Sequence, residues 1–184
     1  IKLAPSSPVY ARGHSEGGNF CYQLAKQTNI VNGIIVSGAN FIENNLEPPT
    51  STDLSYVFII HGENDTLVPY DFSYNDISFN TTTPYLLGLE YYDTKFTANQ
   101  WLNLLKEDTE TNINAITDIN SNLIYVNIGT EQNRNIIDIV NFNYKNDNTG
   151  SCFNLWKYND GNHNIPKKLE EEIMNQFMSI SKQS

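Results

Sequence analysis

Gly13-His14-Ser15-Glu16-Gly17 sets a serine between two glycines where an apolar segment meets a helical pattern. A serine hydroxyl is a weak nucleophile unless a neighbouring base removes its proton, and that base needs an acid to orient it. A sharp strand-to-helix turn supplies the geometry, because it exposes the hydroxyl at the carboxyl edge of a sheet. Such a turn needs small residues, since a side chain there would strike the neighbouring strand or helix. It also sets the hydroxyl beside a helix amino terminus, where the backbone N–H of Glu16 can stabilise a developing oxyanion. A glycine-rich turn that only caps a helix is the plainer reading; the strand–turn–helix context favours the nucleophile.

In this arrangement the chain order is serine, then acid, then histidine. His163 lies in Asp160-Gly161-Asn162-His163, a tight loop following an apolar strand. His61 sits at a strand end ahead of any suitable acid, and His14 adjoins the serine with its side chain expected to point away from it. For the acid, Asp65 stands just past the strand Tyr56–His61, which puts it at the same sheet edge as Ser15 and His163. Its competitors are Glu63, nearer the strand, and Asp160, close in sequence to the histidine. A turn aspartate making only local hydrogen bonds is the plainer reading of Asp65.

The elements that must position these residues alternate. Pro8–Arg12 reads as a short strand, and a helix over roughly Ser15–Gln27 presents Phe20, Cys21, Leu24 and Ala25 on one face. Val31–Ser37 is continuous and β-branched, as for a strand buried on both faces. Tyr56–His61 is a third strand. Thr94–Lys106 carries Ala98, Trp101, Leu102 and Leu105 at helical spacing. Leu123–Ile128 reads as a strand, and Ile136–Tyr144 and Cys152–Tyr158 are joined by Lys145–Gly150 as a hairpin. The last helix begins near Pro166, with Leu169, Ile173, Phe177 and Ile180 as its buried stripe. Strands alternating with helices imply an α/β domain with a mostly parallel sheet flanked by helices, a single domain over residues 1–184.

Composition narrows the function. Eleven Lys+Arg against 21 Asp+Glu leave a net charge of −10, which argues against nucleic acid or an anionic membrane surface as partner. No run is long and apolar enough for a transmembrane helix. The histidines have no metal-ligand spacing, so no metal site and no cofactor are expected. Cys21 and Cys152 should be two free thiols separated by at least one strand. Tyr70, Phe72, Tyr74, Phe79, Tyr85, Tyr91, Tyr92, Phe96 and Trp101 could line an acyl or phenolic pocket, although core filling beneath a long loop is favoured. Asn64-Asp65-Thr66 and Asn80-Thr81-Thr82 match the glycosylation pattern, and the first overlaps the acid. Glu170-Glu171-Glu172 reads as a solvated helix face. The chain begins at Ile1, a few residues before an apolar strand, and the amino terminus of a longer protein is expected to precede it.

GHSEGGNFCYQLA, VSGAN, FIIHGENDTLVPY and DGNHNIP together resemble an α/β-hydrolase. More narrowly, they resemble the polyhydroxybutyrate depolymerase and feruloyl esterase group, the family 1 carbohydrate esterases and their relatives. In that group an HG-x-x-D-x-x-VPY segment carries the acid, here His61 to Tyr70 with Asp65 at the acid position. The group's histidine is followed closely by an apolar residue and proline, here His163 to Pro166, and a tryptophan-bearing helix between acid and histidine is matched by Trp101. Residues 71–94 and 107–150 match only loosely.

The resemblance implies the carboxyl-terminal portion of an α/β-hydrolase fold. Strands before Ser15 would complete the sheet, and an HG-G-like loop among them would supply a second oxyanion donor. The long separation of Asp65 from His163 implies inserted material, such as the antiparallel strand pair before the histidine loop. The resemblance leans toward a secreted protein and toward small-molecule or polymeric ester substrates. A serine esterase working through an acyl-enzyme, with Ser15, Asp65 and His163, is the leading expectation. A prolyl oligopeptidase-like serine peptidase with the same triad and a non-catalytic binding domain derived from the hydrolase fold are the alternatives.

Overall fold

The computed structural model describes residues 7–27, 29–42, 46–50, 52–70, 91–105, 121–130, 133 and 135–181. Six strands and three helices follow one another as β1 (Tyr10–His14), α1 (Glu16–Gln27), β2 (Gly33–Ser37), β3 (Tyr56–Gly62), α2 (Thr94–Leu105), β4 (Ser121–Asn127), β5 (Ile136–Lys145), β6 (Cys152–Tyr158) and α3 (Lys167–Ser181). One sheet holds all six strands in the order β1-β2-β3-β6-β5-β4. The first four in that order are mutually parallel, and β5 and β4 continue the sheet antiparallel. The mixed α/β architecture with a mostly parallel sheet is therefore as the alternation of elements implies. Lys145–Gly150 does turn β5 back onto β6, as its polar, glycine-ended composition suggests.

Period-two alternation divides the core between the two sheet faces. Ile34 and Val36 of β2, Val57 and Ile59 of β3, and Phe153 and Leu155 of β6 pack with α1 and α2. Ile35, Phe58, Ile60, Cys152 and Trp156 face the other way, onto Leu169, Ile173 and Phe177 of α3. Burial on both faces is what permits continuous apolar runs in β2 and β3. In α2, Ala98, Trp101, Leu102 and Leu105 are all buried as their spacing predicts. Trp101 packs against Tyr22 and Phe41, so it belongs to the core. Phe96, by contrast, stacks on Tyr92 at the surface. Cys21 and Cys152 are both buried free thiols, in the cores of opposite sheet faces. Phe72, Tyr74, Phe79, Tyr85 and Asn80, together with Lys106 at the end of the second helical pattern, lie outside the described residues.

Three local expectations are corrected. The first strand is Tyr10–His14, shifted from Pro8–Arg12, so it runs directly into the serine. The inward face of α1 is Gly18, Cys21, Tyr22 and Ala25, while Phe20 is 67% exposed. The spacing i, i+3, i+4, i+7 holds, but it starts at a glycine that carries no hydrophobic signal. Finally, Pro166 sits just ahead of α3, and its carbonyl accepts from the N–H groups of Leu169 and Glu170.

Candidate active site

Parallel strands deliver their carboxyl ends to one edge, and the chemistry-bearing residues gather there. β1 ends at His14, opposite Ser37 of β2, and Ser15 prolongs the ladder by donating its N–H to the Ser37 carbonyl at 2.8 Å. The carbonyl of Ser15 then accepts from Gly18 and Asn19, opening α1. To turn from strand to helix in one residue, Ser15 adopts φ 54°, a conformation that costs an L-residue on the order of 1–2 kcal/mol. Strain of this kind at a nucleophile position marks a turn held by its surroundings.

The surrounding glycines show which contacts do the holding. A Cβ on Gly13 would lie 2.0 Å from the Gly17 carbonyl oxygen, so strand and helix leave no room there. On Gly18 a Cβ would lie 2.7 Å from Ala39 Cβ and 2.8 Å from Val36 Cγ1, where α1 crosses β2. Gly17 differs from the expectation for the turn: a Cβ there would meet nothing. The steric requirement falls on Gly13 and Gly18, and the second glycine of the pattern is sterically free.

His163 is carried by the loop after β6, and Asp65 by the loop after β3. These neighbouring loops are stitched together: Glu63 donates its N–H to Tyr158 at 2.9 Å, and Asn64 donates to Gly161 at 2.7 Å. Gly62 and Gly161 allow this approach, since a Cβ on either would come within 2.4 Å of the opposing backbone or the Tyr158 ring. His163 Nε2 lies 2.9 Å from Ser15 Oγ, and His163 Nδ1 lies 2.8 Å from Asp65 Oδ2. The other carboxylate oxygen, Oδ1, accepts from the N–H groups of Leu67 and Val68, both at 2.9 Å. Asp65 is thus buried with both oxygens occupied, one by the histidine and one by its own loop. Asn40 braces that loop by donating to the Pro69 carbonyl at 2.8 Å and accepting from Thr94 Oγ1 at the start of α2.

The competing acids are placed elsewhere. Glu63 pairs with Lys157 at 2.6 Å and accepts from the N–H of Asp160. Burial pushes the Glu63 carboxyl up, but the Lys157 and Asp160 bonds outweigh it and hold the group below its usual value. Asp160 occupies the turn between β6 and the histidine at φ 56°. His61 is fully buried beneath the acid, its Nδ1 3.2 Å from the Gly62 carbonyl and 3.8 Å from Asp65 Oδ2. Burial lowers its pKa, so it stands neutral beside Asp65.

Two residues were not read from the sequence as belonging here. The His14 ring lies beside His163, with ring centroids 5.0 Å apart. Glu170 is no member of a merely solvated face: it pairs with Arg12 and accepts from the Ser37 hydroxyl. Its position one turn into α3, after Pro166, was the available signal, but the partners lie at the far end of the chain.

Chemically, the three-residue line can pass a proton from Ser15 Oγ to His163 Nε2 while Asp65 stabilises the resulting imidazolium. The Glu16 N–H, first in α1, has no acceptor within its own helix and lies beside the serine in sequence. Among the described residues no group of three or more His, Cys, Asp or Glu could hold a metal ion, and no helix is long and apolar enough to cross a membrane. No protein-family model and no curated protein matches the chain.

Proposed function

We propose that the chain carries the active site of a serine hydrolase that cleaves carboxylic esters through an acyl-enzyme, on an α/β-hydrolase fold resembling the polyhydroxybutyrate depolymerases and feruloyl esterases. The observation that carries this reading is the unbroken line Ser15 Oγ–His163 Nε2–His163 Nδ1–Asp65 Oδ2, at 2.9 and 2.8 Å, with Ser15 held at positive φ. His163 takes the serine proton as Ser15 attacks the ester carbonyl. The collapsing tetrahedral intermediate returns that proton to the leaving alcohol. Water then enters by the same route, with His163 first base and then acid, and releases the carboxylic acid. Asp65 holds the Nδ1–H tautomer so that Nε2 is free to act as base. The Glu16 N–H stabilises the oxyanion. Neither step draws on a metal or an organic cofactor.

The test is hydrolysis of short-chain and aromatic p-nitrophenyl esters by the wild-type protein and by Ser15→Ala and His163→Ala. Each variant is expected to lose at least about 10³-fold in kcat. Parallel peptide substrates separate the esterase from a prolyl oligopeptidase-like peptidase. Ester turnover surviving in Ser15→Ala contradicts the assignment, and turnover absent from the folded wild type favours a binding domain.

A further inference from the structure

His14 has an environment that the line from Ser15 to Asp65 does not explain. Its Nδ1 lies 3.0 Å from Ser37 Oγ. The Ser37 hydroxyl donates to Glu170 Oε1 at 3.3 Å, and the other oxygen of Glu170 is paired with Arg12. A hydroxyl that gives its proton to a carboxylate has only its lone pairs left for His14, so the chain selects the Nδ1–H tautomer. Three elements far apart in sequence converge to do this: β1 with Arg12 and His14, β2 with Ser37, and α3 with Glu170. The product is an oriented imidazole 5.0 Å from the His163 ring. Both rings rest against Gly38, where a Cβ would lie 3.1 Å from His14 Cε1 and 3.3 Å from His163 Cε1. Gly38 has φ +56°, so the floor beneath the two rings suits glycine on both counts.

We propose that His14 is a positioning residue that tunes the base: the Arg12–Glu170–Ser37 chain holds its ring against His163, and charge on either ring opposes charge on the other. The proposal rests on the reading of His163 as the base for Ser15. The groups facing His14 are Arg12 on its own strand, Ser37 at the end of β2, Glu170 on α3, His163 in the loop after β6 and, beyond it, Asp65 in the loop after β3. Burial lowers the His14 pKa and the neighbouring His163 lowers it further, against the opposing pull of Glu170 and Asp65. At neutral pH His14 is therefore uncharged and does not resist the imidazolium that forms on His163 during attack. In mildly acidic solution the two rings titrate as a coupled pair. A proton resident on His14 makes the next one on His163 harder to bind, so the base stays free at lower pH than an isolated histidine would allow.

Two unit charges about 5 Å apart in a largely aqueous surround shift each other's titration by about half a pH unit. Replacing His14 by glutamine is expected to move the acid limb of kcat/KM upward by about that amount and to sharpen it to a single-proton slope. One pH unit below the midpoint this is about a two-fold loss relative to the variant's own plateau. Glu170→Gln removes the charge that favours a protonated His14, and its limb is expected to move the same way by less.

The companion measurement is NMR titration of the histidine ring protons, which needs no substrate. The His163 titration is expected to move upward in His14→Gln. An acid limb and a His163 titration unchanged in both variants overturn the proposal, as does a lower plateau with an unmoved limb, which is the mark of a purely structural role. A protein that hydrolyses no ester, yet whose His163 titration responds to His14→Gln, separates failure of the esterase reading from failure of this one.

Discussion

Asp65 has two jobs that one pair of substitutions separates. Its Oδ2 orients His163, and its Oδ1 closes the loop that presents it by accepting from Leu67 and Val68. Asparagine can keep an oxygen toward the two N–H groups, but it then turns an NH₂ toward His163 Nδ1. Two donors cannot face each other, so the imidazole takes the opposite tautomer and presents N–H, not a lone pair, to Ser15. Asp65→Asn is therefore expected to lose about 10⁴ in kcat at neutral pH, or about 5 kcal/mol of transition-state stabilisation. Its thermal midpoint is expected to fall by only a few degrees.

Asp65→Ala removes both jobs. Two N–H groups at a buried site lose their acceptor, at about 1–3 kcal/mol each. For a chain of this size that is about 5–15 °C in Tm. Ester hydrolysis and a melting scan on the same samples give both readouts. An Asp65→Asn protein within ten-fold of wild-type kcat refutes the orienting role. Equal Tm values for Asp65→Asn and Asp65→Ala refute the loop-closing role.

Other consequences follow from the same contacts. Gly18→Ala is expected to lower the urea midpoint through its clash with Val36 and Ala39, whereas Gly17→Ala, with open space and a helical position, should hold or raise stability by up to about 1 kcal/mol. Gly38→Ala is expected to cost activity more than stability, because its Cβ presses on the His14 and His163 rings; kcat and Tm measured together check this. Glu63 titrates below its ordinary value of 4.5 when folded, so its contribution is fully present above 4.5 and is lost as pH falls through the lower folded value. Lys157→Met should flatten that part of the stability–pH curve, as read by denaturant midpoints from pH about 5 downward.

Legibility in the sequence followed the range of the interactions. Ser15 could be read because a one-residue strand-to-helix turn leaves a local trace in Gly13 and Gly18. Asp65 and His163 could be placed because each follows an apolar strand directly, and parallel strands bring their carboxyl ends together. The helical stripe of α2 was legible for the same reason, since periodicity is a local property. What stayed hidden depends on pairings across the chain. Arg12 and Glu170 lie 158 residues apart, and Ser37 and Glu170 lie 133 apart. Nothing near Glu170 distinguishes it from Glu171 or Glu172, and only the approach of α3 to the ends of β1 and β2 selects it. The inward face of α1 was misread at Phe20 because hydrophobicity outweighed the glycine that actually sits against β2. The placement of β6 beside β3 is likewise set by tertiary contacts, since about 90 residues separate the two strands.

The central claim is that Ser15 is an activated nucleophile. Mass spectrometry of the intact protein and its peptides after exposure to a fluorophosphonate measures this directly, whatever ester the protein prefers. The account predicts a single adduct on the peptide carrying Ser15, absent in Ser15→Ala and slowed at least about 100-fold in His163→Ala. A folded protein that takes up no label, or that takes it up equally well without His163, contradicts it.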